Sequence, residues 1–400
     1  MEWKMLSAVL RQPVIFEALR DEPLVCALRD LLAADGETAS ERSRALAAEL
    51  YPRGGSLTDA VWALLSADDN FYIRARAAGK SCSAEADAWL ERELAVWGEA
   101  ASVTSREVCA RFGLPEEEVP VWRAERADFS ERYRRALREI PRRGYGLFAR
   151  HYMFTLTDGG ELLAVAHPDP QRLSELYGYE KERGRVLRNT RALLRGVRAN
   201  NILLYGDAGT GKSSTVKAVV NEYHDLGLRL VQVEKGQLRL IPALLDRLSG
   251  NPLKFILFID DLSFASDDRD FTALKTVLEG SVSARSANTV IYATSNRRHL
   301  VQETFQNRQG DEIHLSDTLE EVSSLSARFG LVVTFGKPDK EVYLEQVDAL
   351  AAAAGVVLPA QTLHTEAEAF ALRAGGRSPR AARQYIEYKI AERGGEDWTK

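Results

Sequence analysis

The chain has 400 residues, 45 % of them apolar, with 53 Lys and Arg against 58 Asp and Glu for a net charge of -5. That is ample for two or three domains with sizeable cores, and it argues against a globally basic nucleic-acid binder. No apolar run approaches a membrane span, Met1-Glu2-Trp3-Lys4-Met5-Leu6 lacks the layout of a secretion signal, and three scattered cysteines (Cys26, Cys82, Cys109) exclude a disulfide framework, so a reduced cytoplasmic protein is expected.

Up to about Arg150 the pattern is helical, with Ala86, Trp89, Leu90, Leu94 and Trp97 at helical spacing and breaks at Pro52-Arg53-Gly54-Gly55 and Ala78-Gly79. Trp89 and Trp97 read as core rather than as a stacking platform. Thr104-Ser105-Arg106-Glu107 is a capping box. Cys109, Gly113 and Val119 then have loose helix-turn-helix spacing, but Pro120 would fall inside the second helix and break it. The basic stretch Arg132 to Arg143 reads as a solvated helix face, with nucleic-acid phosphates as the alternative.

The period then changes. Tyr152 to Leu156 and Leu162 to Val165, around Asp158-Gly159-Gly160, predict a β-hairpin, and His167-Pro168-Asp169-Pro170 a linker. From Leu173 apolar strands alternate with helices: a helix over Glu180 to Leu194, strands at Asn201–Tyr205, Leu228–Val233, Phe255–Ile259, Thr289–Ala293 and Leu331–Phe335. Such strands imply a parallel sheet covered on both faces, hence an α/β fold. After Pro338 only helical patterns remain. The expected domains are a helical region over 1–150 concerned with partner recognition, the hairpin and linker over 151–170, a nucleotide-binding core over 171–338 and a helical lid over 339–400.

Gly206-Asp207-Ala208-Gly209-Thr210-Gly211-Lys212-Ser213, followed by Ser214, fits the phosphate-loop pattern in full, between a strand and a helix. Backbone amides and the helix dipole there attract phosphate. Lys212 would reach the β- and γ-phosphates and the Ser213 hydroxyl would ligate Mg²⁺. The strand over Phe255–Ile259 ends in Asp260-Asp261. Asp260 would hold the metal and Asp261 polarise the attacking water; a solvated turn is the alternative. Asn296, after the strand at Thr289, would orient that water or touch the γ-phosphate, or be a turn residue. Arg328, before the last strand, suits phosphate recognition from a neighbouring subunit, or is a surface arginine. Ser378-Pro379-Arg380 opens the last helix with a favoured N-cap and first residue, placing Arg380 and Arg383 on one face as γ-phosphate contacts or as solvated groups.

In this order the motifs resemble an AAA+ ATPase: Walker A at Gly206–Ser213, Walker B at Phe255–Asp261, sensor 1 at Asn296, an arginine finger at Arg328 and sensor 2 at Arg380. Leu176-Tyr177-Gly178-Tyr179-Glu180 resembles the segment that lies against adenine in that superfamily, which implicates Tyr177 and Gly178 in binding. Asn200–Gly206, Lys254–Phe258, Asp260–Phe264, Leu274–Gly280 and Ala293–Leu300 resemble more closely the bacterial AAA+ family catalogued as domain of unknown function 815. The resemblance runs from about Gly146 to near the C-terminus and implies a parallel five-stranded core, ATP and Mg²⁺ as cofactors, ATP hydrolysis coupled to conformational change, and a homo-oligomer assembled through Arg328 on an unknown protein client. Asp261 stands where the wider superfamily usually has Glu, and the Asp260-Asp261-Leu262 ending resembles that of bacterial replication initiators and helicase loaders. The shorter acid implies slow, partner-stimulated hydrolysis, and leaves as an alternative a nucleotide-gated loader or regulator acting on nucleic acid. A metabolite kinase is disfavoured because no second substrate motif is present. No aromatic-glycine pore loop stands between Gly236 and Gly250, so protein threading is not indicated.

Overall fold

The computed structural model describes residues 2–262, 274–275, 277–278, 287–296 and 328–396, with side chains to 392. Of the stretches singled out above, Ser263-Phe264, Thr276, Glu279-Gly280 and Arg297-Arg298-His299-Leu300 lie outside the described residues. Two compact units are present, Met1–His151 with Gly250–Leu253, and Tyr152–Ser249 with Lys254–Lys400.

The first unit is helical, as its composition predicts. Its apolar stripes meet in one core, in which the Phe16 ring packs edge-on against Trp97 at 6.3 Å and Tyr133 at 5.6 Å. Trp97 is enclosed there, but Trp89 is 42 % exposed, its indole Nε1 donating to Glu93 and the Arg92 guanidinium lying over its ring at 6.0 Å. The Thr104 capping box forms and opens helix Ser105–Phe112. No second helix of a helix-turn-helix follows. Glu116–Glu118 is a single 3₁₀ turn, and Val119 and Trp122 enter the core, with Trp122 Nε1 donating to Val103 O at 2.8 Å. Several arginines of helix Phe129–Arg143 face acids: Arg134 forks onto Glu91 and also meets Glu131, and Arg138 and Arg143 meet Glu131 and Glu139. That pairing is the solvated face anticipated for this stretch.

The second unit is built on one sheet of strands β1 (Met153–Leu156), β2 (Leu162–Ala164), β3 (Ile202–Gly206), β4 (Leu228–Gln232), β5 (Lys254–Ile259), β6 (Thr289–Asn296) and β7 (Leu331–Phe335). Their spatial order is β2-β1-β4-β5-β6-β3-β7, so five parallel strands form the expected core. The hairpin is not separate from it. Strand β1 pairs in parallel with β4 at Met153↔Leu230 and Phe154↔Val231, which makes seven strands with only β2 antiparallel. Without β1, strand β4 would present an open row of unpaired backbone groups, and covering such an edge is a standard protection. Phe255 to Ile259 are wholly buried, as a parallel strand covered on both faces requires. Helices Glu180–Leu194 and Lys212–Tyr223 cover one face through Val186, Leu193, Val216, Val219 and Val220, each buried side chain contributing about 1.5–3 kcal/mol.

Strand β3 is the turning point of the topology. The chain leaves it for β4, returns through β5 and β6 on one side and adds β7 on the other. In open α/β sheets the crevice beyond the strand ends at such a point is where ligands bind. Three helices close the C-terminal part: Lys340–Ala353, capped by Asp339 at 2.9 Å, Ala360–Arg373 and Pro379–Glu396. Ala351, Ala367, Ala371, Ala381 and Ala382 let these helices approach closely around Tyr343 and Tyr385.

Candidate functional site

Glycine shapes the loop after β3. Gly206 has φ 145°, and a Cβ there would overlap the Phe335 carbonyl at the end of β7, so no other residue fits. Gly209 and Gly211 take φ 76° and 84°, and Thr210 Oγ1 closes the loop onto Asp207 O at 2.8 Å. Gly211 is the N-cap of helix Lys212–Tyr223 and carries no side chain to satisfy the first amides. Those amides are orphan donors at the positive end of the dipole, which is an anion site by construction.

Around this loop the polar side chains form one circuit. Lys212 Nζ, 6 % exposed, donates to Gly206 O at 3.1 Å, Asp207 O at 2.7 Å and Asn296 Oδ1 at 2.9 Å. Burial pushes its pKa down, against the opposing pull of Asp207, Asp261 and Asp260. Asn296 Nδ2 donates to Asp261 Oδ1 at 2.8 Å. Ser213 Oγ and Thr294 Oγ1 each donate to Asp260 Oδ1 at 2.6 Å, and Thr294 Oγ1 in turn accepts the Asp261 amide at 2.8 Å. Asp261 sits at φ 53°, a left-handed conformation that is rare for residues other than glycine and is held here by Thr294 and Asn296. Parallel pairing of β5 with β6, and of β6 with β3, brings these distant residues to one end of the sheet.

A cavity of about 480 Å³ stands over the circuit, lined by Ala208 to Ser214, Asp260, Asp261, Thr294 and Asn296, and on the lid side by Pro379, Arg380 and Arg383. The Arg380 amide donates to Gly209 O at 3.3 Å. Ser378 caps the last helix through the Ala381 amide at 3.1 Å, which fixes where Arg380 and Arg383 begin. Gln171, with its amide oxygen toward the lid, accepts from Arg383 Nη1 at 2.9 Å and donates to Ser214 Oγ at 3.1 Å. One side chain thereby joins the segment before the core, the phosphate-loop helix and the lid.

Of the residues singled out by sequence, the structure brings together the loop Gly206–Ser214, Asp260, Asp261, Asn296 and Arg380. Tyr177 lines a narrower notch continuous with that cavity, and Gly178 lies beside it at φ 73°. Arg328 is elsewhere. Parallel pairing sets Leu331 beside Ile202 and Phe335 beside Gly206, so Arg328 precedes β7 at the end of the sheet remote from its own phosphate loop, about 13 Å or more away. Two participants, Thr294 and Gln171, were not singled out by sequence. Thr294 had a signal, since it is two residues before Asn296 on a strand and so shares its face. Arg383 was paired with Arg380 by helical spacing, and Gln171 had no local signal.

Mg²⁺ takes oxygen ligands, few of them carboxylates, and keeps waters and phosphates for the rest. Ser213 Oγ and Asp260, drawn together at 2.6 Å beside the phosphate loop, fit that donor set.

Residues 149–393 match a family model described as "Protein of unknown function (DUF815)". No curated protein matches the chain. Among solved structures, the Thermotoga maritima RuvB Holliday junction branch migration motor is similar at 19 % identity over 55 % of this chain and 63 % of that one, with a TM-score of 0.37. Two mutants of that RuvB match at 18 % identity over 55 % of this chain and 64 % of theirs, with TM-scores of 0.37 and 0.38. The match therefore spans less than two thirds of each neighbour's length.

Proposed function

The chain belongs to the DUF815 family, and from that premise we propose that it is an AAA+ protein that binds ATP with Mg²⁺ and hydrolyses it, coupling hydrolysis to movement of the lid or to assembly on a partner. The observation that carries this reading is the closed circuit Ser213–Asp260–Thr294–Asp261–Asn296–Lys212 beneath a 480 Å³ cavity at the switch point of the sheet.

The loop amides hold the phosphate chain, and Lys212 exchanges its neutral acceptors for the β- and γ-phosphate oxygens. Ser213 and Asp260 would hold the metal, which when bound would offset the charge that develops as the γ-phosphoryl leaves. Asp261 accepts a proton from the attacking water while Asn296 keeps that carboxylate in place. Arg380 and Arg383 reach the γ-phosphate from the lid, so the lid senses whether it is there. Arg328, at the end of the sheet remote from its own loop, serves the nucleotide of a second copy across a head-to-tail interface.

A second reading has one supporting observation. Asp261 is the shorter acid and is tied to Asn296, which favours slow turnover and use of the nucleotide as a gate. For a gated loader acting on nucleic acid, Arg134, Arg138 and Arg143 of the first unit are already paired with glutamates. Titrating the full chain with ATP, with and without Mg²⁺, tests the main reading, and sizing it with ADP, ATP and a non-hydrolysable analogue tests assembly. Absence of Mg²⁺-dependent ATP binding sinks the proposal.

A further inference from the structure

Gln346 is the anomaly of this unit. It lies on helix Lys340–Ala353, is 2 % exposed, and neither its Oε1 nor its Nε2 has a hydrogen-bond partner. A buried amide with both atoms unsatisfied is expensive and rare, and it calls for an explanation. Other buried amides and hydroxyls of the unit show the contrast: Asn189, Thr190 and Thr294 have partners, and Asn221 leaves only its Oδ1 without one while its Nδ2 is engaged.

Its position supplies the explanation. Gln346 lines the notch beside the phosphate cavity, and the two share Leu176, Thr210, Gly211, Pro379 and Arg383 as walls. The opposite wall is shaped to admit the amide. A Cβ at residue 178 would overlap Gln346 Nε2, so the glycine leaves the space the amide occupies. Tyr179 follows in a second left-handed conformation at φ 59°, fixed by its hydroxyl on Gly336 O at 2.7 Å and its ring against Phe335 at 5.3 Å. Strain held in place by such anchors keeps a binding wall rigid.

We propose that Gln346 is the residue that sets nucleobase specificity, its amide pairing with an edge of adenine once phosphates occupy the loop. This rests on the nucleotide reading above. A glutamine amide offers one donor and one acceptor side by side, which matches N6–H with the adjacent ring nitrogen of adenine. The N7–O6 edge of guanine presents two acceptors and would strand Oε1. The reversed amide can meet the N1–O6 edge of guanine, so the comparison between purines is what the experiment must read.

ATP and GTP binding to the full chain are measured by calorimetry for the wild type, Gln346→Leu and Gln346→Glu, together with the melting temperature of each protein without nucleotide. The wild type should prefer ATP. Gln346→Leu should lose roughly 10- to 100-fold in ATP affinity. Without nucleotide it should melt no lower than wild type, because it removes an unpaired buried amide. Gln346→Glu should swing the preference toward GTP, since a carboxylate accepts from N1–H and the 2-amino group. A Gln346→Leu protein that keeps its ATP affinity and preference, or that melts lower as replacement of a structural glutamine would, overturns the inference. So does a wild type that prefers GTP. A wild type that binds neither nucleotide instead removes the nucleotide reading itself.

Discussion

Two buried polar side chains on apolar helix stripes, one in each unit, are handled in opposite ways. In the helical unit, Glu93 follows Leu90 and precedes Leu94 and Trp97, 2 % exposed, and its carboxylate accepts the amides of Val14, Ile15 and Phe16 and the indole of Trp89. Every oxygen is used inside the unit, so the charge is a structural clamp. In the sheet-containing unit, Gln346 sits on the stripe of Tyr343 and Val347 with nothing to bond, and Lys212 leans on two loop carbonyls and an amide oxygen at the lip of a cavity. The difference teaches that burial alone does not mark a site. What marks it is polar capacity left over, or held by partners that a ligand can replace.

Arg328 breaks the comparison most strongly, because on our reading it completes a site in another copy. Arg328→Ala should leave ATP affinity unchanged and lower turnover by roughly 10³–10⁵. Steady-state hydrolysis beside equilibrium binding checks this, and normal turnover in the variant removes the finger assignment. Glu93→Ala comes next. It strands three backbone amides and an indole, and should cost the helical unit about 3–5 kcal/mol of stability without altering ATP affinity. Denaturant unfolding and nucleotide titration on the same protein read both. Lys212→Ala reverses that pattern. Binding should weaken by roughly 100-fold or more, about 2.7 kcal/mol, while melting without nucleotide changes little. If Glu93→Ala weakens ATP binding as much as Lys212→Ala does, the division between clamp and site is wrong.

Much of the sheet-containing unit was legible because phosphate and metal chemistry prescribe residue types at short spacing. Strand β3, its loop and helix Glu180–Leu194 lie where the pattern puts them, and Asp260, Asp261 and Asn296 converge with the loop as their order implies. What was not legible depends on pairs far apart in the chain. The addition of β1 to the sheet needs Met153 to meet Leu230, and the Gln171 bridge needs Arg383. Neither leaves a local periodicity to read. Glu93 and Gln346 did leave one, a polar residue at an apolar-stripe position, but the stripe shows only that the side chain is buried. Whether it has partners is decided by other elements, the Val14–Phe16 turn for one and the Gly178 loop for the other.

The smallest effects separate the lid from the phosphate loop by pH. In the lid, Arg377 holds the Glu368 carboxyl below its ordinary 4.5 through a forked pair at 2.8 and 2.6 Å, and Lys389 does the same to Glu366. Because the folded values lie below the unfolded one, each carboxylate stabilises the lid above about pH 4.5 and the contribution disappears as pH falls through the folded value. Both pairs are partly exposed, so each is worth about 1 kcal/mol at most. Lys212 has the opposite sign. Its folded pKa lies below 10.5, so the unfolded chain binds more protons between the two values and stability without nucleotide rises with pH there. ATP needs the charged form, so affinity should begin to fall on the alkaline side before pH 10.5, and Lys212→Arg should abolish that fall because guanidinium stays charged. Hydrogen exchange of the lid amides at acid pH and ATP titrations at alkaline pH read the two windows separately. Acid loss of the lid that persists in Glu368→Gln combined with Glu366→Gln would assign it to other carboxylates, and an alkaline fall that persists in Lys212→Arg would take Lys212 out of the phosphate contact.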